Sequence, residues 1–139
     1  MRLLLVEDNV ADARLVIEAL RECAVPPQVA MVSDGLQALS YLRREGQYAG
    51  VALPDLLLLD LNLPKMDGRE VLVKIKSDQA LKHIPVIIFT SSEAEHEVLL
   101  AYRHGASCYL IKPIELATYF ALLQELITFW GTRARLPVR

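Results

Sequence analysis

No apolar run in these 139 residues approaches the ~18 that a membrane span requires, because charge interrupts each one early. The opening MRLLLVEDN places acids after only a few apolar residues, so it is no secretory signal either. Cysteine is scarce: Cys23 and Cys108 are too few for a disulfide framework, form no C-x-x-C, and fit a reducing compartment as small buried hydrophobes. His83, His96 and His104 lack metal-ligand spacing and read as surface residues. The chain has no Walker P-loop, no G-x-G-x-x-G, and no G-x-S-x-G around Ser91 or Ser92, which leaves nucleotide binding and serine hydrolysis without support. Excess charge is missing too. A net charge of -2 gives no long-range pull toward nucleic acid or an anionic membrane. Low-complexity tracts, solenoid periods and interdomain linkers are absent. The expected location is cytoplasmic.

What the chain does have is core-forming material. Hydrophobic residues make up 53% and charged residues 23%, enough to fill one domain of this length. Five short apolar runs, at 3–6, 29–32, 56–59, 86–89 and 109–111, read as strands covered on both faces. Helical patterns fill the intervals at 12–23, 35–45, 68–77, 93–104 and 115–130. In the first, Ala13, Val16, Ile17 and Leu20 recur at helical spacing; the fourth opens on Ser92 and Glu95, a capping-box pattern. A β-α alternation demands a parallel sheet, and right-handed crossovers favour a doubly wound α/β fold with strand order 2-1-3-4-5. Residues 1–130 are expected to form this domain. Residues 131–139, GTRARLPVR, read as a short, mobile, basic tail with no output domain after it. The segment REGQYAGVALPD before the third strand is long for such a connection.

In a parallel sheet the C-terminal strand ends share one edge, where ligands bind. Glu7 and Asp8 follow the first strand, Asp60 the third, Thr90 the fourth and Lys112 the fifth. Singly, each has a plain explanation. An acid pair favours a helix start, Thr90-Ser91-Ser92 forms a turn and cap, Asp60 suits a turn, and a lone lysine is usually solvated. Their joint placement is what those explanations miss. Three carboxylates in one place repel and raise a pKa unless a cation relieves them. Mg²⁺ suits oxygen ligands of this kind, with Mn²⁺ or Ca²⁺ able to substitute. A metal beside a carboxylate prepares it for attack on phosphorus, with Lys112 as a point charge and the Thr90 hydroxyl as a donor to the phosphoryl oxygens.

The segments LLLVEDN, LLLLDLNLPKMDG, IPVIIFTSS and YLIKP resemble the receiver domain of two-component response regulators, in the right order over nearly the whole chain. The resemblance implies a flavodoxin-like receiver fold and a phosphoryl group accepted on Asp60 from a histidine kinase. It further implies that Glu7, Asp8, Asp60 and the backbone carbonyl of Asn62 bind Mg²⁺, with Thr90 and Tyr109 as switch residues and Lys112 as the phosphate-facing lysine. Glu7 stands where many receivers have Asp. The family also implies a cis Lys112–Pro113 bond. DLNLPKMDGREVL, the long loop and the FW ending the last helix narrow the likeness to regulators paired with bacterial and cyanobacterial phytochromes, so the implied phosphodonor is a red-light-sensing histidine kinase.

In the last helix, Leu116, Phe120, Leu123, Ile127 and Trp130 read as the core-facing stripe, and Tyr119, Leu122, Leu126 and Phe129 as a second apolar stripe. Cover for the second comes from neighbouring loops and the tail, or from a homodimer through the fourth helix, fifth strand and fifth helix, with Trp130 included. An alternative reading is a Mg²⁺-dependent phosphatase with an Asp nucleophile. That class carries D-x-D, and Asn62 stands at the second position, where it is a poor acid or base. A silent scaffold leaves the acid-Thr-Lys set unexplained.

Overall fold

The computed structural model describes residues 1–137; Val138 and Arg139, the end of the expected tail, lie outside the described residues. Strands β1 (Arg2–Val6), β2 (Gln28–Val32), β3 (Leu56–Leu59), β4 (Val86–Thr90) and β5 (Cys108–Ile111) alternate with helices α1 (Val10–Arg21), α2 (Gly35–Leu42), α3 (Gly68–Lys76), α4 (Glu95–Arg103) and α5 (Leu116–Thr128). All strand pairs are parallel and the order is β2-β1-β3-β4-β5, as expected.

Side-chain alternation divides the core into two layers. Leu4, Val6, Leu57, Leu59, Val86 and Ile88 face α2, α3 and α4. Leu3, Leu5, Leu56, Leu58, Ile87 and Phe89 face α1 and α5. The four leucines of β3 thus serve both faces in turn, which is why the strand reads as a continuous apolar run.

Side-chain caps start three of the helices: Asn9 for α1, Asp34 for α2 and Asp67 for α3. The expected Ser92–Glu95 capping box is not formed. The N-cap of α4 is Ala94, and Ser92 Oγ instead accepts the Ala94 N–H at 3.4 Å. The chain turns into α4 two residues later than Ser92, out of step with the box.

The apolar stripes of α5 are rotated from the expected ones. Tyr119, Leu123 and Ile127 are the buried positions, and Leu116 is 56% exposed. Tyr119 packs edge-on against Phe89 at 5.3 Å between centroids, so it belongs to the core and not to the proposed dimer face. Leu122, Leu126 and Trp130 are half-buried against the same core layer, and Phe129 is exposed. The tail begins as structure: a π-helical turn, Phe129–Arg133, continues from α5 and is closed by Ala134 N–H on the Phe129 carbonyl at 2.8 Å. The long connection before β3 contains a 3₁₀ turn, Gly46–Tyr48, and rests Tyr48 on Tyr41 at 5.1 Å.

Candidate functional site

Register decides which side chains meet. Val6 pairs with Leu59, so Glu7 and Asp60 leave adjacent strands at one level. Leu59 pairs with Ile88 and Thr90 with Ile111, which brings Thr90 and then Lys112 to the same edge. Asp60 is held there by close backbone packing. Gly68 lies so near that an added Cβ would stand 2.2 Å from the Asp60 carbonyl oxygen, and its N–H donates to Leu61 O at 2.9 Å. Only glycine admits that approach.

Lys112 reaches across β4 into the acids. Its Nζ donates to Glu7 Oε1 at 2.5 Å, Asp60 Oδ2 at 2.8 Å and Asp12 Oδ2 at 2.9 Å. The Phe89 ring lies beneath the ammonium, 5.8 Å to the centroid. The other Asp60 oxygen accepts the Asn62 N–H at 3.1 Å. Thr90 is fully buried, and its hydroxyl has no hydrogen-bond partner among the described residues. Such a group is costly unless some state of the site supplies a partner.

Electrostatics follow from burial. Desolvation pushes the Glu7 carboxyl up to about 7, against the pull of Lys112 and with the charge of Asp60 adding to the rise. For Lys112, burial would lower the pKa, and the hydrogen bonds to Asp60, Glu7 and Asp12 overcome it, so the ammonium is held charged above its ordinary range. Burial also raises the Tyr109 phenol, whose hydroxyl donates to Ser92 O at 3.0 Å. That bond ties β5 to the loop after Thr90.

Three of the expected partners meet directly: Glu7, Asp60 and Lys112. Asp8 is exposed, with no side-chain bond among the described residues, and the third carboxylate at the ammonium is Asp12. Asp12 was legible only as a helix-start acid. The available signal was its place in the first turn of α1, four residues beyond Asp8. Among the described residues no three acids, histidines or cysteines form a ready metal cage, since the Lys112 ammonium stands between the carboxylates. The donor set nonetheless suits a hard divalent cation. It offers oxygen only, from two buried carboxylates on adjacent strand ends with Asp8 next in the chain, and Mg²⁺ takes one or two carboxylates and keeps waters. The Lys112–Pro113 bond is trans, against expectation, and the four-carbon lysine stem spans the distance from there.

Residues 3–124 match the response regulator receiver domain. The chain belongs to the response regulator receiver family. It is 43% identical to the response regulator Rcp1 of Synechocystis sp. over 97% of this chain and 92% of that protein. The crystal structure of the phosphorylated cyanobacterial phytochrome response regulator RcpA superposes with a TM-score of 0.95, at 47% identity, covering 99% of this chain and 98% of that one. The Mn²⁺-bound form of Rcp1 gives 0.94 at 42% identity, with 99% of both chains covered. The receiver fold and the likeness to phytochrome-associated regulators are therefore as the motifs implied, and the chain takes a phosphorelay role. No helix among the described residues is long and apolar enough to cross a membrane.

Proposed function

We propose that Asp60 is the phosphoacceptor of this receiver, that a sensor histidine kinase of the phytochrome type is its donor, and that the transfer depends on Mg²⁺. One observation carries the reading: a buried carboxylate has a lysine ammonium on one oxygen and, at the same strand edge, the buried Thr90 hydroxyl with no partner among the described residues. The phosphorylated state of RcpA and the Mn²⁺ of Rcp1 lend support from relatives.

In the proposed transfer an Asp60 carboxylate oxygen attacks phosphorus. The O–P bond forms as the P–N bond to the donor histidine breaks, and its electron pair leaves with the imidazole nitrogen, which is protonated. The Lys112 ammonium turns from the carboxylate to a phosphoryl oxygen, and the Thr90 hydroxyl donates to another. Glu7, Asp8, Asp60 and the Asn62 carbonyl would hold Mg²⁺, which when bound supplies neutralising charge and in-line orientation. By the family resemblance, Asn62 and Ser92 would flank the path of the water that later hydrolyses the acyl phosphate.

The signal then leaves through the α4-β5-α5 face. Movement of Thr90 toward the phosphoryl group shifts the loop to which Tyr109 is bonded. A homodimer is the proposed readout. Leu99, Tyr102, Ile111, Ile114, Leu116 and Phe129 are exposed on or beside this face, and Leu122, Leu126 and Trp130 border it. The test is phosphotransfer from a phytochrome-type kinase, compared with an unrelated histidine kinase, followed by sedimentation of the phosphorylated chain. Transfer from the first alone, with a shift to dimer, supports the reading. Equal transfer from both removes the kinase assignment, and an unchanged monomer removes the dimer.

A further inference from the structure

Asp12 has no part in the phosphoryl transfer as set out above, yet its position is built. The Asn9 side chain accepts the Asp12 N–H at 3.0 Å and fixes the first turn of α1. From there Asp12 Oδ2 comes within 2.9 Å of Lys112 Nζ with its side chain only 28% exposed. An ammonium has three donors, and Glu7, Asp60 and Asp12 take all three.

Phosphoryl transfer and metal binding together engage two of these acceptors. Asp60 becomes an acyl phosphate and loses its carboxylate charge, and Glu7 belongs to the proposed metal set. Asp12 alone keeps its charge free for the lysine. We propose that Asp12 is a positioning residue, holding the Lys112 ammonium over the Phe89 ring and toward the phosphoryl oxygens while Asp60 and Glu7 are engaged. The inference rests on the reading of Asp60 as phosphoacceptor. A lysine left to a single mobile contact with the phosphoryl group occupies its working geometry for less of the time, which slows a reaction that depends on positioning.

The test compares the wild-type chain, Asp12→Asn, Lys112→Ala and the double variant. The rate of phosphorylation by a small-molecule phosphodonor at saturating Mg²⁺ is followed by intact mass, and Mg²⁺ affinity is measured by calorimetry. Loss of one charge-assisted hydrogen bond predicts roughly tenfold slowing in Asp12→Asn. Mg²⁺ affinity should stay within about twofold of wild type, Asp12→Glu should recover most of the rate, and Asp12→Asn should add no slowing to Lys112→Ala. A wild-type rate in Asp12→Asn overturns the inference. So does equal slowing in both backgrounds, because Asp12 then acts through the fold and not through Lys112. Either result, with Asp60 still phosphorylated in the wild type, leaves the phosphoacceptor reading standing. A wild-type chain that takes no phosphate on Asp60 ends both.

Discussion

Lys112 and Asp60 bond at 2.8 Å although β4 separates their strands. The lysine crosses over Phe89 to get there and meets Glu7 and Asp12 as well. In this resting arrangement one ammonium stands among the acids, and the proposed divalent cation would have to share the site with it or displace it.

Lys112→Ala tests that arrangement through stability. Removing Lys112 leaves Glu7 and Asp60 buried with no ion-pair partner among the described residues, a loss of about 3 kcal/mol by the behaviour of broken buried pairs. Urea unfolding should register the loss without Mg²⁺. Adding Mg²⁺ should restore more stability to the variant than to the wild type, because the competing ammonium is gone. Equal Mg²⁺ responses would speak against competition.

Glu7 carries a pH dependence. Its carboxyl titrates near 7 when folded and near 4.5 when unfolded. Between those values the folded state binds more protons, so metal-free stability falls as pH rises across the window and levels off above it. Glu7→Gln should flatten that part of the pH-stability curve. Because the proposed Mg²⁺ site uses the ionised Glu7 carboxylate, proton release on Mg²⁺ binding should be larger at pH 6 than at pH 8, measurable by calorimetry in two buffers.

Gly68→Ala should damage stability and the site together. A Cβ 2.2 Å from the Asp60 carbonyl forces α3 away from β3, at about 1–3 kcal/mol for overpacking. Phosphorylation should slow along with it, since the displaced backbone is that of Asp60. A variant with normal stability and normal rate would mean the contact relaxes without moving Asp60.

Arg69 links α3 to α4. It pairs with Asp67 at 2.9 Å and bonds to Glu97 in the first turn of α4. Hydrogen bonds from Ser92 and from Arg69 hold the Glu97 carboxyl below its ordinary range. Arg69→Ala should therefore speed amide exchange in residues 95–103 while leaving β1 and β3 unaffected. Unchanged exchange in α4 would show that the ion pair does not restrain it.

Much of this was legible in the sequence because it depends on period and order. The leucines of β3, the β-α alternation and the residues following each strand follow from side-chain alternation and topology alone. Asp12 was not legible, since its contact depends on the phase of α1 set by Asn9 and on how far Lys112 reaches. The rotation of the α5 faces, with Tyr119 inward and Leu116 outward, is hidden from the sequence for a similar reason. Tyr119 and Leu116 are both apolar, and only packing against Phe89 decides which turns inward. The capping box of α4 does not form because the helix starts after Ala94, two residues past Ser92, whose Oγ accepts the Ala94 N–H.

The most direct measurement is intact mass after exposure to a small phosphodonor, with Mg²⁺ and with a chelator, for the wild type and Asp60→Asn. One added phosphoryl group is expected on the wild type, only when Mg²⁺ is present, and none on the folded variant. Full uptake by Asp60→Asn, or uptake by the wild type that ignores the metal, would contradict it.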